Sequence, residues 1–130
     1  MDNCLFCKII KGEIPSKTIY EDEIVKVFLD INPSTNGDSL LIPKKHIVTI
    51  DEVDDELMCH ILKVIKKLKP ILEEKLNAKG LTIAQNNGHG QEVKHFHIHL
   101  TPRYEHDYVR HEYNKEKLLP LESIEKTLTE

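Results

Sequence analysis

The stretch His95-Phe96-His97-Ile98-His99-Leu100 decides the reading of this chain. Imidazoles alternate with apolar side chains without a break, and in an extended strand residues two apart project to the same face. The pattern predicts a strand over 95–101, with Phe96, Ile98 and Leu100 directed into a core and three histidines in a row on the other side. Neighbouring histidines would stand roughly 6.5 Å apart, two strand rises, which suits a row of separate tasks better than one shared metal. Three readings stay open at this point: a histidine-rich solvated face, a metal site, and a nucleophilic or acid–base cluster. Imidazole suits the last, because its charge changes near neutral pH and its unprotonated nitrogen can attack phosphorus or carbonyl carbon.

Working outward, Asn86-Asn87-Gly88-His89-Gly90-Gln91 reads as a loop that brings side-chain amides and exposed backbone N–H groups close to the histidines. A phosphate or ribose needs such donors, although a plain turn between strands would look the same. Before it, the residues at 81–84 read as a strand, and 54–76 reads as a long helix in which apolar residues from Leu57 to Leu76 recur at three- and four-residue steps. Asp54 or Asp55 caps its start, Asn77 and Gly80 mark its end, and Pro70 removes a backbone donor, so a kink or break is expected near Lys66. Further upstream, 18–20 and 24–29 read as a hairpin, 30–38 as a turn-rich loop and 39–43 as a strand. A short helix is expected over 121–128, beginning near Pro120. Strands paired by short turns and one long connecting helix make the fold α+β with a mainly antiparallel twisted sheet.

The chain has 130 residues, 18 Lys and Arg against 22 Asp and Glu, for a net charge of −4. That length suits one domain, and no linker or repeat divides it, so residues 1–130 read as a single unit. No apolar run approaches the roughly 18 residues of a membrane span, and the N-terminus lacks the features of a signal peptide, so a cytoplasmic protein without membrane association is expected. The mild acidity argues against a nucleic-acid polymer as partner and makes any phosphate recognition local. Eight histidines and an odd count of three cysteines point away from a disulfide framework and toward metal ligands or buried thiols. Cys4-x-x-Cys7 has the spacing of half a zinc site, a redox pair or two packed thiols. Cys59, inside the long helix, reads as a small buried hydrophobe, and His60, His89, His106 and His111 as surface or loop residues.

The triad His95, His97, His99, followed by Pro102-Arg103, resembles the histidine-triad (HIT) family. So do Cys4-Leu5-Phe6-Cys7-Lys8-Ile9-Ile10, Gly12-Glu13-Ile14-Pro15-Ser16, Phe28-Leu29-Asp30-Ile31-Asn32-Pro33 and Leu41-Ile42-Pro43-Lys44-Lys45-His46-Ile47, which together span most of the chain in the expected order.

The resemblance implies a nucleotide-binding hydrolase acting at the α-phosphate of nucleoside phosphoramidates or related dinucleotide or nucleotidyl substrates. His97 would be the nucleophile, forming a nucleotidyl-histidine intermediate, with its second nitrogen held by the His95 carbonyl and with His99 donating to the phosphate or leaving group. Asp30 and Ile31 would border the nucleoside, and Asn86 and Gln91 would face the phosphate. Cys4, Cys7, His46 and His95 would hold a structural zinc, and no catalytic metal is expected. A homodimer and a C-terminal extension over 104–130 that tunes specificity are implied as well.

One departure stands out. Glu92 occupies the position after Gly90-Gln91 where many members carry a small hydroxyl residue, and Lys94 is the nearby cation available to offset it. Two other readings compete: a nucleotide-binding or scaffolding protein with little catalysis, and a single catalytic metal held by His95, His97 and His99.

Overall fold

The computed structural model describes residues 3–108 and 112–130. The sheet is built from β1 (Thr18–Glu21), β2 (Val25–Leu29), β3 (Ser39–Pro43), β4 (Gly80–Gln85) and β5 (Ile98–Arg103). Its order is β1-β2-β3-β5-β4, and every neighbouring pair is antiparallel. Among the described residues, three α-helices accompany it, α1 (Leu5–Ile10), α2 (Asp55–Leu76) and α3 (Leu121–Thr129), with a single 3-10 turn at Ile50–Glu52. The α+β class and the antiparallel sheet agree with the sequence reading.

Each face of the sheet is covered by a different helix. Ile61, Val64, Ile65, Leu68 and Leu72 form the buried stripe of α2, packed with Val25, Val27, Leu41, Ile98 and Leu100 on one face. On the other face Phe6 and Ile9 of α1 pack with Phe28, Leu40 and Ile42. The register then fixes where the histidines go. Leu40 pairs with His99 and Leu41 with Ile98, so His99 lies on the α1 face while Ile98 points at α2.

α2 begins where Asp54 accepts a hydrogen bond from the Leu57 N–H at 2.8 Å and ends at Asn77, left-handed at φ 55°. The break expected near Lys66 is absent, since the helix runs unbroken through Pro70. Pro70 and Lys66 both face solvent, so water can satisfy the carbonyl that the proline leaves without a donor. Cys59 is exposed, which corrects its reading as a core residue. At 3.6 residues per turn it stands about 160° around the helix from Ile61, away from the buried stripe.

The strand expected over 95–101 starts only at Ile98. β3 and β4 both stop pairing there, at Leu41 and Gln85. Ahead of it the backbone is tied to the neighbouring segment by the Phe96 N–H, which donates to the Ile47 carbonyl at 2.7 Å.

α3 matches the expected short helix and buries no residue. Among the described residues no helix is long and apolar enough to cross a membrane.

Candidate active site and metal centre

Residues 95–97 carry two jobs because they connect two elements. His95 is fully buried, and its Nε2 donates to the Pro43 carbonyl at 2.8 Å. A carbonyl only accepts, so the proton is on Nε2 and Nδ1 presents a lone pair. That lone pair points at sulfur: Cys4 Sγ lies 3.4 Å and Cys7 Sγ 3.6 Å from it, and His46 Nδ1 lies 3.2 Å from Cys7 Sγ. All four donor atoms fall within 4.8 Å of one another, the one such group among the described residues. Tetrahedral zinc with Zn–N and Zn–S arms of about 2.0–2.3 Å has ligand–ligand edges of about 3.3–3.8 Å, so the set is nearly at coordination spacing. Two sulfurs, two imidazoles and a carbonyl fixing the second nitrogen of one ring are the donor chemistry of a closed structural site. Cys4, Cys7, His46 and His95 are therefore positioned to bind a metal.

Burial sets the charge states here. It pulls His95 down to about 4, against the hydrogen bond to Pro43, with His46 and His97 adding to the fall. Burial and the neighbouring Cys4 push the Cys7 thiol up to about 11, so a cation is what would draw its proton off.

His97 is also buried. Its Nδ1 donates to the His95 carbonyl at 2.7 Å, which fixes the tautomer and leaves the Nε2 lone pair free. Burial lowers its basicity, the bond to His95 opposes this, His99 lowers it further, and the carboxylates of Asp30 and Glu92 act upward. The His99 ring is half-buried, 5.0 Å from the His97 ring in an edge-on contact. Phe6 stands edge-on to both His95 and His97, at 5.9 and 5.1 Å, so the helix that Cys4 caps and that carries Cys7 also walls the cleft.

Two adjoining recesses open at these rings. One, about 240 Å³, has an apolar floor that includes Phe6, Ile14 and Phe28, with Asp30 and Ile31 at its edge. Sequence reasoning missed this floor, although Phe6 and Phe28 lie in short segments it had quoted. The other, about 160 Å³, is lined by Asn86, Gly90, Glu92, His97 and His99. Asp30 Oδ1 accepts from the Asn32 N–H at 2.9 Å. Asn86 borders the smaller recess, but Gln91 does not: it is buried, donating to the Val48 carbonyl at 2.7 Å and accepting from the Gly88 N–H at 3.1 Å. Lys94 donates to the Gly88 and Gln91 carbonyls rather than meeting Glu92.

The reading of one catalytic metal on His95, His97 and His99 fails on these bonds, since His95 turns its free nitrogen to the thiols. Of the remaining histidines, His60, read as a surface or loop residue, lies half-buried in α2, where its Nε2 meets Asp22 Oδ2 at 2.8 Å. His89 and His106 are exposed, and His111 lies outside the described residues. A separate groove of about 510 Å³ beside Cys59 and His60 contains none of the triad.

Residues 11–106 match the HIT domain model. The chain belongs to the HIT family. An uncharacterized HIT-like protein, MJ0866 of Methanocaldococcus jannaschii, is 52% identical over 106 residues, 80% of this chain and 81% of that one. Adenosine 5′-monophosphoramidase HNT1 of Candida albicans is 41% identical over 107 residues, 78% of this chain and 70% of that one. Among solved structures, a Zn-bound histidine triad family protein from Mycobacterium smegmatis superposes with a TM-score of 0.79 at 34% identity, covering 89% of this chain and 86% of that one. The HIT triad of this chain is thus divided, with His95 in the thiol cluster and His97 and His99 at the cleft.

Proposed function

We propose that the protein is a nucleotide hydrolase that cleaves nucleoside phosphoramidates at the α-phosphate through a nucleotidyl intermediate on His97. The observation that carries this is the bond from His97 Nδ1 to the His95 carbonyl, which leaves Nε2 as a lone-pair nitrogen at the floor of a cleft. The match to a family with a monophosphoramidase among its members supports the substrate class.

In the first step Nε2 attacks phosphorus, the P–N bond to the leaving amine breaks, and the departing nitrogen takes the bond pair and a proton held by His99. In the second, water attacks phosphorus and returns a proton to His99, the Nε2–P bond breaks, and the nucleoside monophosphate is released. Asp30 would accept from the ribose hydroxyls, with Ile31 against the nucleoside and Asn86 facing the phosphate. Gln91 would act from behind, by holding the phosphate loop to Val48.

Cys4, Cys7, His46 and His95 would hold zinc as a structural ion. When bound, it supplies a cross-link between the N-terminal helix and the histidine segment, not a reacting group. A homodimer formed through the sheet edge fits the outer position of β4 and the exposure of Ile83. The extension over 104–130, most of which lies beyond the matched residues 11–106, would tune specificity.

The test is His97→Ala. Turnover of an adenosine phosphoramidate should vanish while the product nucleotide still binds; normal turnover in this variant would sink the reading, and a nucleotide-binding protein without catalysis would show none in the wild type.

A further inference from the structure

Among the described residues, the two recesses at the histidines are lined by carboxylates and by no lysine or arginine. Asp30 lines the larger one, and Glu92 lines both. Glu92 is exposed, and its carboxylate makes no hydrogen bond or ion pair with any described residue. The cation nearest in sequence, Lys94, is spent on the Gly88 and Gln91 carbonyls, at 3.2 and 2.9 Å. Lys94 shares the neighbouring groove at Cys4 and His46 with Glu92, but it lines neither histidine recess. No lysine or arginine therefore neutralises Glu92 at the smaller recess, where its charge also acts on His97.

A polyphosphate leaving group brings several negative charges, which lysine, arginine or a divalent ion receives best. Placed beside an unpaired carboxylate it meets like charge in a partly desolvated cleft, a repulsive element that discriminates as surely as an attractive one. With a nucleoside in the apolar recess and its phosphorus at His97, the smaller recess is left for the departing group.

Resting on the reading of His97 as nucleophile, we propose that Glu92 sets leaving-group specificity: it favours phosphoramidates whose amine carries a positive charge and disfavours anionic or polyphosphate leaving groups. The bonds made and broken are those of the phosphoramidate reaction above. Glu92 touches the leaving group, not the reacting phosphorus.

Three adenosine 5′-phosphoramidates of similar length test this, built on 2-aminoethylamine (cationic), propylamine (neutral) and β-alanine (anionic). The wild type should show kcat/KM for the cationic substrate about ten-fold or more above the anionic one at low salt, with the ratio shrinking as salt is added. Glu92→Gln should bring the ratio toward unity, and Glu92→Lys should invert it; an exposed position tolerates either change. Equal use of all three substrates by the wild type, or a ratio that survives Glu92→Gln, overturns the proposal while leaving His97 chemistry in place. Failure of the wild type to cleave any of the three overturns the phosphoramidase reading and the proposal with it.

Discussion

The carbonyl of His95 accepts from Nδ1 of His97 at 2.7 Å, while the ring of the same His95 turns its lone pair to Cys4 and Cys7. One residue therefore serves the thiol cluster with its side chain and the cleft with its backbone. Whatever fixes the His95 ring also fixes the tautomer and direction of the His97 ring.

That linkage gives a first prediction. Cys7→Ser should lower both bound zinc and thermal stability, and kcat/KM on a phosphoramidate should fall roughly 10–100-fold, the range typical when a group that orients a site is disturbed. Metal content by elemental analysis, melting and kinetics on one preparation would check it. Full activity in metal-free protein would break the link.

Asp22 supplies a second, at the opposite side of the sheet from α1. Burial alone would raise its pKa, but the N–H groups of Val25 and Ile24, the Tyr20 hydroxyl and His60 outweigh this and hold it well below the usual carboxylate range. A carboxyl whose folded value is depressed adds stability that is fully present above about pH 4 and is lost as pH falls through the folded value. Asp22→Ala should cost about 2 kcal/mol in urea unfolding at pH 7, with a smaller difference from wild type near pH 2–3. An unchanged difference across that window would contradict the sign.

β4 supplies a third, because it is an outer strand with Ile83 half exposed. If two copies join along this edge, Ile83→Lys should convert a dimer into monomers by light scattering, as charged residues block edge pairing. An unaltered dimer mass would place the contact elsewhere.

Much of this was legible in the alternation of residues 95–100, which sends Ile98 and Leu100 to one helix and His99 to the other. The thiol cluster could be paired with His46 and His95 only through the family resemblance, since nothing in local spacing joins residues 4, 46 and 95. The burial of His95 and His97 was hidden, because alternation separates the two faces of a strand without saying that α1 covers the second one. Cys59 was misplaced although the helical period carried the answer. His60 was missed for a different reason: its partner Asp22 is 38 residues away, on the hairpin turn.

The central claim is a double displacement through His97, and the configuration at phosphorus tests it most directly. Each in-line displacement inverts phosphorus, so two in succession restore it. Hydrolysis of a phosphorus-chiral adenosine phosphorothioamidate in isotopically labelled water should give product with net retention. Net inversion, the mark of direct attack by water, would contradict the account.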